Sequence, residues 1–282
     1  MKIKTVIENM KAYHKGELEG KKIDEETTRD KILYGNSDVE CTGIVTTCWA
    51  TVDVIKQTAA MGANLIIAHE ALFWNHGDHI DWLIEEENEA FLAKKKLLDE
   101  SGIVVWRNHD YIHSGIPMAD GTYTDGIFYG VAEKLGWTNY IIKDVQNPLC
   151  YEIPEMSAKD VAKLVVDRFG LNGVKVIGNL ETKVNKVRIP FHVLGEARDF
   201  ISEANEENID CFMTMELVDF TLAEYIRDSS MLGLNKAIIG VGHFNLEEPG
   251  MEYMVNYIND AIGEEIPCKF IQSGDMYHFV TK

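Results

Sequence analysis

Histidine and carboxylate side chains mark the places where this sequence can do chemistry. Nine histidines occur, and several stand directly after apolar, strand-like runs. His69-Glu70 follows Leu65-Ile66-Ile67-Ala68, His109 and His113 follow Ile103-Val104-Val105-Trp106, and His243 follows the run Ala237–Val241. In open parallel sheets, sites form beyond the carboxyl ends of strands. Three such ends bearing His or His-Glu are hard to ascribe to packing alone. Glu247 comes four residues after His243, just ahead of Pro249, a residue suited to the first turn of a helix. Amide groups at a helix start favour an anion, and a carboxylate held there can bridge two cations. A set of imidazoles and carboxylates without thiolates suits Zn²⁺, Fe, Mn²⁺ or Co²⁺, with no preference legible among them.

Other histidines read differently. A lone buried histidine is more often a hydrogen-bonded core residue than a ligand, and His192 and His278 are expected in that role. His76 and His79, in Asn75-His76-Gly77-Asp78-His79, read as an exposed loop over the site and as weak candidates for substrate contacts. The zincin pattern H-E-x-x-H fails, because Phe73 stands where its second histidine is required. Neither a Walker A loop, a G-x-G-x-x-G nor a G-x-S-x-G elbow is present.

Composition narrows the classes. The chain has 282 residues, 46% of them hydrophobic and 26% charged, which suits two α/β lobes or one large unit with a packed core. A formal net charge of −19 repels phosphate backbones, so nucleic acid is not an expected partner, whereas metal cations are attracted. No run approaches the roughly 20 apolar residues that span a bilayer, and the basic N-terminus lacks a signal-like apolar stretch. No membrane partner is expected, and the expected location is cytoplasmic. Five widely spaced cysteines, Cys41, Cys48, Cys150, Cys211 and Cys268, form no C-x-x-C pair; neither disulfides nor a thiolate metal site is expected.

The elements that must position these groups are legible from period and caps. Helices are expected near Ile3–His14, over Val52–Met61 after the cap Thr51, over about Ala90–Glu100 before Gly102, and from Asp125 to near Gly136. Strands are expected at Ile44–Thr47, Leu65–Ala68 and Ile103–Trp106. The interval from Thr138 to about Tyr151 reads as the join of two lobes, 1–140 and 141–282, with the last elements from about 236 returning ligands to a shared site. The second half reads as a strand near Tyr151, a helix capped by Ser157, strands at Val174–Ile177 and Val187–Ile189, a helix over Ala197–Glu207 and a strand at Cys211–Met213. A helix over Val218–Met231, a strand over Ala237–Val241, a helix opened by Pro249 and a last strand beginning at Phe270-Ile271 complete it. Short strands alternating with helices imply right-handed βαβ units and a mainly parallel sheet. Asn64–Glu70 and Ile209–Glu216 echo one another, each an apolar strand that follows a helix and ends on glutamate.

At three segments the sequence resembles the Nif-three-like family, whose members are often called type 2 GTP cyclohydrolase I homologues. The segments are Gly62–Trp74, His109–His113 and Gly242–Glu247; Asp125–Trp137 and Met213–Glu216 add weaker support. The resemblance implies two α/β lobes, a dinuclear metal site between them at strand C-terminal ends, and a ring-shaped homohexamer. Carried over position by position, it implies His69, Glu70, His113, His243 and Glu247 as ligands of two divalent ions, with Glu247 as the bridge. Glu70 stands where a second histidine is usual and His113 where aspartate is usual, so three histidines and two carboxylates are kept but permuted. Glu216 and His109 are expected to orient ligands or transfer protons, with a buried salt bridge or core hydrogen bond as the plain alternative for each.

Five side chains with one shared carboxylate leave each ion about three protein ligands and positions for water, as catalytic sites require. Two ions roughly 3.5–4 Å apart can stabilise an attacking and a leaving oxygen. The expectation is therefore a metal-dependent hydrolase acting on a small nucleotide-like or phosphoester substrate. Its rival is a non-catalytic metal-binding scaffold or adaptor. Purine-ring opening is less expected, because Ala71, Phe191–Gly195 and Met215 depart from the family pattern on the supposed substrate side.

Overall fold

The computed structural model describes residues 1–280. The chain forms two compact units, one from Met1–Gly130 with Gly250–Ser273, the other from Val131–Pro249 with the segment from Gly274 onward.

The first unit is built on a five-stranded sheet in the order Cys268–Phe270, Ile44–Thr47, Leu65–Ala68, Val104–Arg107, Ile32–Tyr34. The first four strands are parallel, and Ile32–Tyr34 pairs antiparallel at the edge. Every residue of Ile44–Thr47, Leu65–Ala68 and Val104–Arg107 is buried, because helices cover both faces. That burial explains why these strands read as unbroken apolar runs. One face carries Ile44, Leu65, Ile67, Val104 and Trp106 against helix Ile3–Tyr13 and against Met251, Met254 and Ile258. On the other face Val45, Ile66, Ala68 and Val105 pack on Val54 and Ile55 of helix Val52–Ala60 and on Phe91 and Leu98 of helix Glu89–Ser101. The caps are local: the Thr51 side chain accepts from the Val54 amide, Asn88 accepts from Phe91, and Gly102 ends its helix at φ 64°.

The second unit also has five strands, in the order Lys175–Gly178, Ala237–Gly240, Cys211–Thr214, Lys183–Arg188, Cys150–Ser157. Only the three middle strands are parallel; both outer strands pair antiparallel. Parallel pairing thus forms the centre of each sheet. The outer strands are partly exposed and carry polar residues such as Lys175 and Glu152, so their direction is not written in an apolar run. Ser157 caps helix Ala158–Phe169 through the Asp160 amide, as its type requires. The echoing strands Leu65–Ala68 and Cys211–Thr214 occupy the centre of their respective sheets.

Several local expectations are corrected. Pro249 does not open a helix: the helix runs His243–Met254 with Pro249 inside it. Glu247 is therefore a helical residue one turn after His243, and the amide-rich start lies at His243. An interior proline forgoes one backbone hydrogen bond. The segment Val218–Met231 is a wide turn, Asp219–Ala223, followed by helix Glu224–Met231, because Phe220 and Thr221 leave helical φ/ψ. The final strand is Cys268–Phe270 and ends where it was expected to begin. Among the described residues no helix is long and apolar enough to cross a membrane.

Candidate metal centre

In the first unit, the ends of two adjacent parallel strands bring three imidazoles together. His69 follows strand Leu65–Ala68, and His109 caps the short helix Asp110–Ser114 that carries His113 after strand Val104–Arg107. One ring nitrogen from each of His69, His109 and His113 lies within 4.8 Å of the others. The His69 and His109 rings stack at 4.6 Å, and His113 meets both edge-on at 5.0 and 5.1 Å.

Each of these rings is oriented at Nδ1 by an oxygen. The Asn108 carbonyl lies 3.0 Å from His69, Asp110 Oδ1 3.0 Å from His109, and Asp125 Oδ2 2.8 Å from His113. Such outer partners fix the tautomer and turn Nε2 towards a ligand position. Asp125 does this while its other oxygen accepts the amides of Ile127 and Phe128, so one carboxylate starts helix Gly126–Leu135 and aims His113. Asp30, in turn, accepts the backbone amides of His109 and Asp110. Burial, with the charge of Asp110 beside it, pushes the Asp30 carboxyl up to about 6.

Burial pushes the His109 imidazole down to about 3, against the pull of Asp110 and with the positive potentials of His69, His113 and Arg107 adding to it. Burial works against ionisation of Asp110, but bonds from His109, the Arg29 amide and Thr28 outweigh it and hold the carboxyl low. The arrangement is a neutral imidazole on a fixed carboxylate, the form in which histidine binds metals.

Glu70 is held differently. A carboxylate oxygen lies within 4.8 Å of a His69 ring nitrogen, but Oε2 also accepts from Arg107 Nη2 at 2.8 Å. Arg107 is fully buried and additionally binds the carbonyls of His69 and His76 and the Asp78 carboxylate. His76 is exposed, as expected of its loop, and its carbonyl and Nδ1 meet Arg107.

In the second unit, His243 lies between two glutamates. Its Nδ1 is 2.5 Å from Glu216 Oε1, and its Nε2 is 3.1 Å from Glu247 Oε2 one helical turn on. Glu216, two residues past strand Cys211–Thr214, also takes the Nδ1 of His192 at 3.0 Å. Burial acts to raise the Glu216 carboxyl, yet the bonds from His243 and His192 leave it below the ordinary range. His192, Glu216 and His243 form a second group with ligand atoms within 4.8 Å of one another. His192 is therefore not a core histidine: its side chain is half exposed and stacks on His243 at 5.2 Å. His278 is likewise exposed.

The residues that sequence reasoning missed are Arg107, Asp110, Asp125 as a histidine partner, and His192. The adjacency His109-Asp110 and the strand-terminal position of Arg107 were the available signals.

The donor set fits divalent metals: imidazoles oriented at Nδ1, beside carboxylates and without thiolates. Sheets with parallel centres and His/Glu groups at their strand ends that could hold a metal ion describe an α/β protein. The family signature of Duf34/NIF3 (NGG1p interacting factor 3) matches residues 1–275. The chain belongs to that family.

Among its relatives is a Clostridium acetobutylicum protein named GTP cyclohydrolase 1 type 2 homolog, 22% identical over 233 residues, covering 82% of this chain and 81% of the relative. A Clostridium perfringens protein of the same name is 23% identical, covering 88% of this chain and 90% of its own length. The crystal structure of a Bacillus cereus protein related to NIF3 superposes with a TM-score of 0.70 at 14% identity, covering 99% of both chains. That of a Staphylococcus aureus hypothetical protein gives 0.67 at 17% identity, again with 99% of each covered. At such identities the likeness establishes the fold.

Proposed function

We propose that this chain is a metal-dependent hydrolase that holds two divalent ions through His69, Glu70, His113, His243 and Glu247 and acts on a small nucleotide-like or phosphoester substrate. One observation supports the reading most: His69 and His113 sit together with His109 beside them, each ring held at Nδ1 by an oxygen, an arrangement that suits ligation by the first two and orientation or proton transfer by the third. The relatives named for a cyclohydrolase are consistent with hydrolytic chemistry.

Ions held there would supply Lewis acidity towards a phosphoryl or carbonyl oxygen and make water acidic enough to react near neutrality. The chain's own groups do the rest. Asp110 and Asp125 fix the orientation of His109 and His113. Glu216 holds the Nδ1 proton of His243 and, through its second partner His192, connects that position to solvent. His109 and Glu216 are the groups placed to steady ligands or to move a proton. The homohexamer implied by the family likeness belongs to the same proposal and is tested by light scattering.

The test is metal analysis and hydrolysis on one preparation. Protein stripped with chelator and reloaded with Mn²⁺, Zn²⁺ or Fe²⁺ is expected to bind two equivalents and to hydrolyse members of a panel of nucleotides and phosphoesters. Glu247→Gln is expected to lose both metal and turnover. Protein that takes up no metal after soaking overturns the reading.

A second reading, a non-catalytic metal-binding scaffold, draws on Glu70. Its carboxylate is already paired with buried Arg107, which fits a structural role better than an open ligand. Metal uptake without turnover on any panel member would select it.

A further inference from the structure

Lys94 is a buried cation that the ligand set does not use. It lies in helix Glu89–Ser101, only 3% exposed, and among the described residues it has no carboxylate partner. Its Nζ donates to the Leu72 carbonyl at 2.7 Å and stands over three aromatic rings, 5.4 Å from Trp49, 5.5 Å from Phe73 and 5.9 Å from Trp74. The faces of such rings attract a cation. Burial pushes the ammonium down to about 8, so it stays largely charged at pH 7. A lysine is seldom buried without a counter-ion, because desolvating its charge is unfavourable. A methionine would fill much of the same space without that penalty.

What Lys94 holds is the segment that leaves the strand at His69-Glu70. The amides of His69 and Glu70 donate to the Cys48 carbonyl at 3.0 and 2.8 Å. Beyond them the backbone is sparsely tied. Among the described residues, the bond from Lys94 is the one hydrogen bond made by the backbone of Leu72, Phe73 and Trp74. Trp74 also sits at φ 55°, which a bulky side chain adopts only where its surroundings impose it. Arg107 grips the segment at the His69 and His76 carbonyls, on either side of this stretch. Two buried cations thus fix the course of the chain beside the proposed ligands: Arg107 holds the ends and Lys94 the middle. Arg107 has carboxylate partners as a further reason for its burial, and Lys94 has the Leu72 carbonyl and the rings.

We propose that Lys94 is a positioning residue for the metal ligands His69 and Glu70: caged by Trp49, Phe73 and Trp74, its ammonium clamps the Leu72 carbonyl and so sets the path of the chain through both ligands. The inference rests on the hydrolase reading for the identity of those ligands, whereas the clamp itself is a property of the chain without metal. Groups one layer behind a metal site hold its ligands in place, and their loss weakens the site while the fold persists.

The experiment compares the full chain with Lys94→Met and, as a control, with Lys96→Met, an exposed lysine of the same helix. Hydrogen exchange without metal is expected to quicken in Lys94→Met over residues 69–76 and to leave helix Glu89–Ser101 as it was. Zn²⁺ affinity by chelator competition is expected to fall about tenfold or more, and the absorption bands of bound Co²⁺ to shift, with the control unchanged in all three. A folded Lys94→Met with parental exchange, affinity and Co²⁺ bands overturns the proposal. So does faster exchange spread evenly over the helix and the sheet, which marks a residue that only supports the core. The unaltered protein supplies a measurement that needs no variant to fold: Zn²⁺ is expected to slow exchange over residues 69–76, and an unaffected segment counts against the clamp. A parent that takes up no metal sinks the hydrolase reading by itself. The clamp is then decided by exchange in Lys94→Met alone, where loosening confined to residues 69–76 upholds it and any other result removes it.

Discussion

Replacing Arg107 by methionine tests the reading of the strand end at its most heavily bonded point. The guanidinium is completely buried and makes four contacts of 2.8–3.0 Å: to the His69 carbonyl, the Glu70 carboxylate, the His76 carbonyl and the Asp78 carboxylate. Methionine keeps part of the aliphatic stem but leaves Glu70, whose side chain is only 6% exposed, as a buried charge without its cation. Removing one member of a buried pair costs about 3–5 kcal/mol, because the remaining charge stays desolvated. At about 2–4 °C per kcal/mol for a unit of this size, the unfolding midpoint of Arg107→Met should fall by roughly 6–20 °C. Adding Glu70→Gln removes the stranded charge, so the double variant should recover about 1–3 kcal/mol of that loss. The assay is a double-mutant cycle by urea unfolding, followed by metal titration of each variant. A single variant within about 1 kcal/mol of the parent, or a cycle without coupling, would refute the argument that Arg107 and Glu70 are a desolvated pair.

Burial pushes the His14 imidazole down to about 4, against a modest pull from the Met10 carbonyl at Nδ1. The folded state therefore binds fewer protons than the unfolded one between pH 6.5 and 4, and stability is present above 6.5 and lost as pH falls through that window. His14→Phe should flatten this slope by about 3 kcal/mol in urea unfolding at pH 4 against pH 7; an unchanged slope counts against a buried neutral imidazole. Asp125→Asn keeps an oxygen for the Ile127 and Phe128 amides but takes the charge from His113, so metal affinity by chelator competition should fall roughly 10–100-fold. No change would remove His113 from the ligand set. Gly250→Ala places a Cβ 2.4 Å from Ile127 Cα, where only backbone could yield, and should destabilise by about 1–3 kcal/mol or more. Thermal unfolding indistinguishable from the parent would refute that close approach.

What the sequence by itself determined follows from local physics. Ile44–Thr47 and Leu65–Ala68 were legible because strands covered on both faces must be apolar throughout, and their starts and ends needed no distant partner. Thr51, Ser157 and Gly102 announced helix ends because capping joins groups two or three residues apart. The positions of His69, His109, His113 and His243 after strands were likewise readable once the strands were placed, but that Glu247 lies one helical turn after His243 was not.

Only the tertiary structure decided which group each histidine and carboxylate meets. Glu70 finds Arg107 across 37 residues, His243 finds Glu216 across 27, and His113 finds Asp125 across 12. No periodicity encodes such pairs, because they arise when neighbouring strands fall into register and the loops beyond them are forced together. Register also set the antiparallel outer strands of the second unit, where the partner's direction depends on the connection rather than on strand composition. Pro249 shows the same limit. A local rule put it at a helix start, and packing holds it inside the helix beside Gly250, where contact with Ile127 requires the missing side chain. His192 looked like a core residue for want of a visible partner, and a loop brings it instead to Glu216, in a group that could hold a metal ion. Local chemistry writes the elements into the sequence; long-range contact, summed over a whole sheet, chooses the company that each polar group keeps.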